Sequence, residues 1–244
     1  MSASDNLVSL HKHEEELRSK SLGEIKANND LTDHWELVAE AMNVFYTFTH
    51  DHAHHSDNEL TLQYLGIRLF NACGASIKLA LSGYYQKAFD QLRDIIETYF
   101  LVDYLTAAPS EIAVWKAADK KKRIAHFGPG AIRNALDKRD GFTTGARKQI
   151  YDLISEYASH ASYPGITLTT SGPARMAQVG PFYDQQKLAM WLYEMAMRVS
   201  HAAVVLVSSV EGDDRTLLVV RQHYLSVVNA WWQKHRHMSP QAVP

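Results

Sequence analysis

Residues 84–105, YYQKAFDQLRDIIETYFLVDYL, decide the fold class. Phe89, Leu92, Ile96, Tyr99 and Phe100 recur every three or four positions, and Gln86, Asp90, Arg93, Asp94 and Glu97 form a polar stripe between them. Apolar residues at helical spacing, with charges on the opposite side, describe an α-helix that buries one face. A strand would alternate at every second residue instead.

The same pattern extends outward from this segment. Ser56 precedes Glu59 by three positions, a pairing that satisfies orphan amides at a helix start. The helix it opens, to about residue 82, is apolar nearly all round (Leu60, Tyr64, Leu65, Ile67, Leu69, Phe70, Cys73, Ile77, Leu81), which predicts a central position in a bundle. Gly83 breaks or bends the chain between the two helices. Asp33 and Glu36 repeat the capping pattern ahead of Trp35, Val38, Met42, Phe45 and Tyr46, in a helix expected to run into the histidines of residues 50–55. Residues 7–26 are charged and weakly amphipathic, so residues 1–30 read as a peripheral helix or arm and residues 31–238 as a single domain.

On the C-terminal side, Pro109 and Ser110 open a shorter helix through Trp115, and the basic run 120–123 precedes a turn at Gly128, Pro129 and Gly130 and a short helix to about Lys138. Thr143 or Thr144 is the expected cap of a helix with Ile150, Leu153, Ile154 and Tyr157 on one face. Residues 164–181 hold Ile166, Leu168 and Thr170 in alternation and a turn at Gly172 and Pro173, which predicts a small hairpin or an irregular insertion. Asp184 caps a long helix with Leu188, Trp191, Leu192, Met195, Val199, Ala202, Ala203 and Leu206 inward. Asp213 or Asp214 caps the last, with Leu217, Tyr224, Val228, Trp231 and Trp232 inward, before a tail expected to fray after Ser239. Amphipathic helices joined by short loops imply an all-α antiparallel bundle of about eight helices.

Composition narrows the classes. Among 244 residues, 25 are basic and 27 acidic, so no global field draws nucleic acid or an anionic membrane, although a local patch can. The single cysteine, Cys73, cannot form an intramolecular disulfide and sits in an apolar stretch as an expected core residue. The first twenty residues carry His11, His13, Glu14, Glu15, Glu16 and Arg18, unlike a secretory leader. Apolar runs such as 202–207 fall short of the ~20 residues a membrane span needs. A cytoplasmic protein with no membrane partner is expected. Trp231 with Trp232, and the helix over residues 188–206, are candidate faces for a homo-oligomer, or else core.

Several chemistries are set aside by missing motifs. No Gly-x-Ser-x-Gly elbow, phosphate-cradling glycine loop or dinucleotide fingerprint occurs. No Glu-x-x-His occurs either, which argues against a ferritin-like di-iron site despite Glu156 and His160 lying four apart. His50, Asp51, His52, His54 and His55 stand out: on a continuous helix His50 and His54 share a face at zinc-chelating spacing, with a third ligand still needed. A metal-dependent hydrolase using this tract is one alternative; a solvated helix end is the other, and no metal or cofactor is assigned. Arg93 and Glu97, four apart, form either an exposed ion pair or a cleft arginine held in shape for a carboxylate or phosphate. Lys122 and Arg123, ahead of His126 and a turn that opens a new helix, are the candidate anion-binding residues.

Two stretches, GYYQKAFDQLRDIIETYFLVDYL (83–105, with Ala88, Leu92, Arg93 and Glu97) and YDLISEYASHASY (151–163, with Tyr151, Leu153, Ser155, His160 and Ser162), resemble a group of bacterial all-helical proteins over roughly residues 65–205. In that group an "A…LR…E" helix is paired with a later "Y..LS…H.S" helix. The resemblance implies a helical bundle loosely like the HEPN class of RNA-cleaving and nucleotide-binding proteins, and it implies that Arg93, Glu97, Tyr151, Ser155 and His160 converge, as a structural network or a ligand site. The wider class places a histidine four to six residues after an arginine; here Arg123–His126 and Arg198–His201 are three apart and Arg215–His223 eight. The expected function is therefore a binding or interaction module without a catalytic motif, its partner a second copy, a small anionic ligand or RNA. The alternative is a HEPN-like ribonuclease or phosphodiesterase with Arg93 and His160 in active roles.

Overall fold

The spacing of residues 84–105 is realised as α4, Tyr85–Ala107, and the helix is the axis of the molecule. The computed structural model describes residues 3–171, 176–177, 179–210 and 215–235. Ten α-helices occur among them: α1 Ala3–Ala27, α2 Asn29–Tyr46, α3 Asp57–Leu81, α4, α5 Ser110–Ala117, α6 Lys120–Phe127, α7 Pro129–Asp140, α8 Ala146–Ile154, α9 Gln185–Ser209 and α10 Arg215–His235. Two π turns follow α2 and α8, at Thr47–Asp51 and Ser155–Ser159. The expected hairpin region is a 3-10 helix, Pro164–Thr169, and a two-residue antiparallel ladder pairing β1 Thr170–Ser171 with β2 Met176–Ala177. The fold is all-α, with ten helices rather than eight because the segment 110–154 is cut into four short ones.

α3 and α9 flank α4, α2 packs on α9, and α7, α8 and the second π turn lie against the other side of α4. α4 therefore takes the central place predicted for α3: Leu92, Ile95, Ile96, Val102 and Leu105 are fully buried, whereas Tyr64 and Ile67 of α3 stay 61% and 40% exposed. Three helices meet at one polar contact inside the core. Trp191 Nε1 of α9 donates to Ser76 Oγ of α3 (3.0 Å), which donates to the Ala88 carbonyl of α4 (2.8 Å). Cys73 is fully buried, and burial pushes its thiol pKa up, which makes it a core residue and no nucleophile.

Gly83 ends α3 at φ 87°, and a Cβ there would lie 2.5 Å from the Phe182 carbonyl oxygen, so the sharp α3–α4 connection needs glycine twice over. Ser56 and Asp184 cap α3 and α9 as expected, accepting from the amides of Glu59 (3.1 Å) and Lys187 (3.0 Å). Two caps differ from expectation. Asn28, not Asp33, starts α2, accepting from the amides of Asp30 (3.0 Å) and Leu31 (3.2 Å), because the earlier start buries Leu31. α8 follows Gly145 in the left-handed region rather than Thr143 or Thr144. Asp213, Asp214, Gly172, Pro173 and the tail after Ser239 lie outside the described residues.

Both candidate oligomer faces are interior. Trp231 is 6% exposed, Trp232 is half-buried and donates to Ser200 Oγ (3.2 Å), and the predicted inward positions of α9 (Leu188, Trp191, Leu192, Met195, Val199, Ala202, Ala203 and Leu206) are fully buried in this chain's own core. Apolar helices fill a core before they can seek a partner. α1 packs on the bundle through Leu17, Ser21 and Ile25. No helix among the described residues is long and apolar enough to cross a membrane.

The histidine tract does not continue a helix. The π turn after α2 ends at His52, which is extended (φ −95°, ψ 126°), so His50 and His54 lose their common face. His50 Nδ1 pairs with Asp51 (2.7 Å), while buried His52 Nε2 pairs with Glu59 Oε1 (2.7 Å), whose other oxygen accepts from the His55 amide. Among the described residues, no group of three or more His, Cys, Asp or Glu is placed to hold a metal ion.

Candidate functional site

The polar stripe of α4 faces the short helices. Arg93 and Glu97, one turn apart, make the ion pair that their spacing allows, with Arg93 Nε donating to Glu97 Oε1 (2.9 Å). α8 adds Tyr151, whose hydroxyl donates to the same carboxylate oxygen (2.7 Å) and accepts from Arg93 Nε (3.1 Å). Arg133 arrives from α7 and stacks on the ring, its Cζ 4.1 Å from the Tyr151 ring centroid, while Arg93 Cζ lies 5.2 Å away. Two guanidiniums and one carboxylate thus surround a single phenol, leaving one excess positive charge.

Burial opposes the charge on Arg93, but Glu97 and Tyr151 outweigh it and hold the guanidinium pKa above its ordinary value. Burial first, and the Glu97 carboxylate second, push the Tyr151 phenol up. Both groups keep their usual protonation at neutral pH, so the cluster is a fixed hydrogen-bond network. Arg133 is only 8% exposed, and its Nη1 has no hydrogen-bond partner. Nothing in the spacing of α7 flags Arg133, because its neighbours Ile132 and Leu136 carry the helical pattern.

The other two residues expected in this cluster stay outside it. Ser155 lies one turn beyond Tyr151 and is buried, yet its Oγ finds no partner. Its carbonyl accepts from the His160 amide (2.8 Å), closing the π turn. His160 then leaves the helix in an extended conformation (φ −89°, ψ 147°) and is exposed; no hydrogen bond or ion pair joins it to Arg93. The change from α to π turn at Ser155 is the reason: a side chain expected to face α4 is carried off the end of the helix.

Glu97 also borders a cleft of about 400 Å³. Its floor is Leu65 of α3 with Phe100 and Leu101 of α4; its far wall is Trp115 of α5 with Ile124 and Phe127 of α6; the corner is Gly128, Pro129 and Ile132 at the start of α7. Its charged members are Arg68, Asp94, Glu97 and Arg123. Arg68 spans from α3 to Asp94 (Nε 3.0 Å, Nη2 2.5 Å), and Glu97 is neutralised by Arg93. Arg123 has no partner among the described residues. It is the cleft's uncompensated charge. Thr98, 3% exposed, also lines the wall.

α6 itself is unusual. Asp119 caps it, accepting from the Lys122 amide (2.7 Å), and of its eight residues only Phe127 is buried. The side chains of Lys120, Lys121, Lys122 and Arg123 are exposed and without an acidic partner among the described residues. Of the two residues expected to bind an anion, Arg123 reaches the cleft and Lys122 stays on the outer surface. A Cβ at Gly128 would stand 2.4 Å from the Ile124 carbonyl oxygen, so glycine permits the tight α6–α7 corner. No family model, curated protein or solved structure matches the chain.

Proposed function

We propose that the protein is a non-catalytic binding module that engages an anionic partner through α6. The observation that carries this reading is a helix of four consecutive cations, none of them paired with an acidic residue among the described residues, held to the bundle by one buried side chain. Charge is segregated to match. Residues 110–140 hold eight basic and four acidic residues, and the rest of the chain holds seventeen basic against twenty-three acidic. A near-neutral protein thus carries a local positive field, which concentrates anions at one end of the bundle. The ribonuclease alternative needs Arg93 beside His160, and that pair is not formed.

The test is retention of the full chain on a heparin matrix, against Lys120→Gln/Lys121→Gln/Lys122→Gln. Contacts to a polyanion release counterions, so affinity falls steeply with salt. Wild type is expected to bind at low ionic strength and the triple variant to elute at clearly lower salt, with an unchanged melting temperature because all three lysines are exposed. Wild type in the flow-through, or equal elution of the two proteins, retires the reading.

A further inference from the structure

The basic run that faces solvent at Lys120, Lys121 and Lys122 turns inward at Arg123, where the cleft begins. We propose that this cleft binds a small monoanionic organic acid with a flat apolar body, its carboxylate at Arg123 and the α7 N-terminus; the assignment rests on reading α6 as the anion-engaging helix.

Size comes first. About 400 Å³ falls in the range of pockets that enclose small ligands. The surfaces available to the ligand body are apolar and partly aromatic: Trp115 and Phe127 on one wall, Phe100 and Leu101 on the floor. Charge sets the other end. Asp94 and Glu97 are each neutralised by an arginine, so one positive charge is left for the ligand to match. A phosphate monoester would bring nearly two negative charges against it. A carboxylate brings one, and it fits the planar fork of an arginine. The α7 start adds to the attraction. Gly128 offers no capping side chain and Pro129 no N–H, so the first amides of a twelve-residue helix have no side-chain cap at the corner of the cleft that Arg123 also lines.

The wall also specifies the ligand body. Thr98 is buried and lines the cleft, and Glu97, whose side chain is 30% exposed, gives its Oε1 to Arg93 and Tyr151 and keeps Oε2 as an acceptor. A ring N–H or O–H on the ligand, pointing away from its carboxylate, could donate to Glu97 there.

The experiment titrates the full chain calorimetrically with indole-3-acetate and 2-naphthoate, each beside its neutral primary amide. At least one acid is expected to bind saturably, and its amide to bind about tenfold more weakly or worse. Arg123→Gln is expected to bring the acid down to the level of the amide, and Ile132→Trp, which fills the cleft, to abolish both. No saturable binding by either acid, equal binding of acid and amide, or full acid binding by Arg123→Gln overturns the proposal. The triple lysine variant separates the two readings: lost heparin retention with acid binding kept assigns the outer face and the cleft to different anions, and acid binding that falls with heparin retention overturns the cleft assignment.

Discussion

Tyr151→Phe removes one oxygen atom, and that oxygen is a hydrogen-bonded link between α8 and α4. It donates to Glu97 at 2.7 Å and accepts from Arg93 at 3.1 Å. A buried hydrogen bond to a charged group contributes ~1.5–3 kcal/mol net. Here Arg93 and Glu97 still hold each other at 2.9 Å, and their side chains are 31% and 30% exposed, so water replaces part of what is lost. The expected cost is about 1 kcal/mol, which lowers the melting temperature of a chain this long by roughly 2–4 °C. The ring, and with it the Arg133 stacking, survives. Tyr151→Ala removes the ring as well and strands a guanidinium that already has an unpartnered Nη1; about 2–3 kcal/mol is expected. Scanning calorimetry at neutral pH measures both, and combining Tyr151→Phe with Arg93→Ala should show coupling of ~0.5–1 kcal/mol. His160→Ala should change nothing beyond ~0.5 kcal/mol, because the residue is exposed and unpaired. A Tyr151→Phe protein as stable as wild type, or more so, would refute the structural account and mean that the hydroxyl is kept at a cost to the fold for some other role.

Trp191→Phe leaves the Ser76 hydroxyl without its donor and opens space at a fully buried position; about 2 kcal/mol and a fall of roughly 4–8 °C are expected, and a shift under 1 kcal/mol would show that the three-helix contact is not needed. His34 is 2% exposed, and burial, then the charge of His235, lower its pKa to about 4, against the pull of Asp30 and Asp33. Its Nδ1 accepts from Trp231 Nε1 (3.1 Å), which a protonated ring cannot do. The unfolded chain binds this proton near pH 6.5 and the folded chain does not, so stability should fall as pH drops from about 6.5 to about 4, by up to about 3 kcal/mol; urea unfolding across that window should show a slope that His34→Gln flattens, and equal slopes would disprove the assignment. His52→Ala strands Glu59 in a nearly closed site and should cost about 2 kcal/mol, whereas EDTA should leave the wild-type melting temperature unchanged; stoichiometric metal in protein purified without a nickel column would contradict the pairing of His52 with Glu59.

What could be read from the chain was set by distance along it. The inward stripe of α4, the caps at Ser56 and Asp184 and the Arg93–Glu97 pair depend on residues within a turn or two of each other, and helical geometry alone places them. α2 starts at Asn28 rather than at Asp33, and the outcome turned on whether Leu31 could reach the core, which no local pattern states. Apolar content could not tell whether Trp231 and α9 serve this chain or a second one, since the same residues suit both. His160 was misplaced because one turn of π-helix moves every later side chain off the face that 3.6-residue spacing assigns. Arg133 and the cleft were out of reach, because five separate helices meet there and only their packing brings Arg123 and Glu97 to one cleft.

The cleft lies where it does because helix lengths mismatch. α3, α4 and α9 run 23–25 residues, while α5, α6, α7 and α8 have 8, 8, 12 and 9. Short helices cannot cover a long one edge to edge, so they cross it and leave a gap at the corner between α6 and α7. Two polar clamps hold the gap open without a ligand: Arg68 on Asp94 fixes α3 to α4, and Arg93, Glu97, Tyr151 and Arg133 fix α7 and α8 to the same helix. A wall that is already rigid loses little entropy on binding, which is how preorganisation raises affinity. Tyr151 does not itself line the cleft, yet Tyr151→Phe loosens the clamp that orients the lining residue Glu97 and steadies α7. It should therefore weaken binding of the acid probe several-fold while Trp191→Phe, equally or more destabilising but remote from the clamp, leaves that affinity unchanged. If both variants weakened the probe alike, the effect would follow global stability, and the clamp would have no share in shaping the cleft.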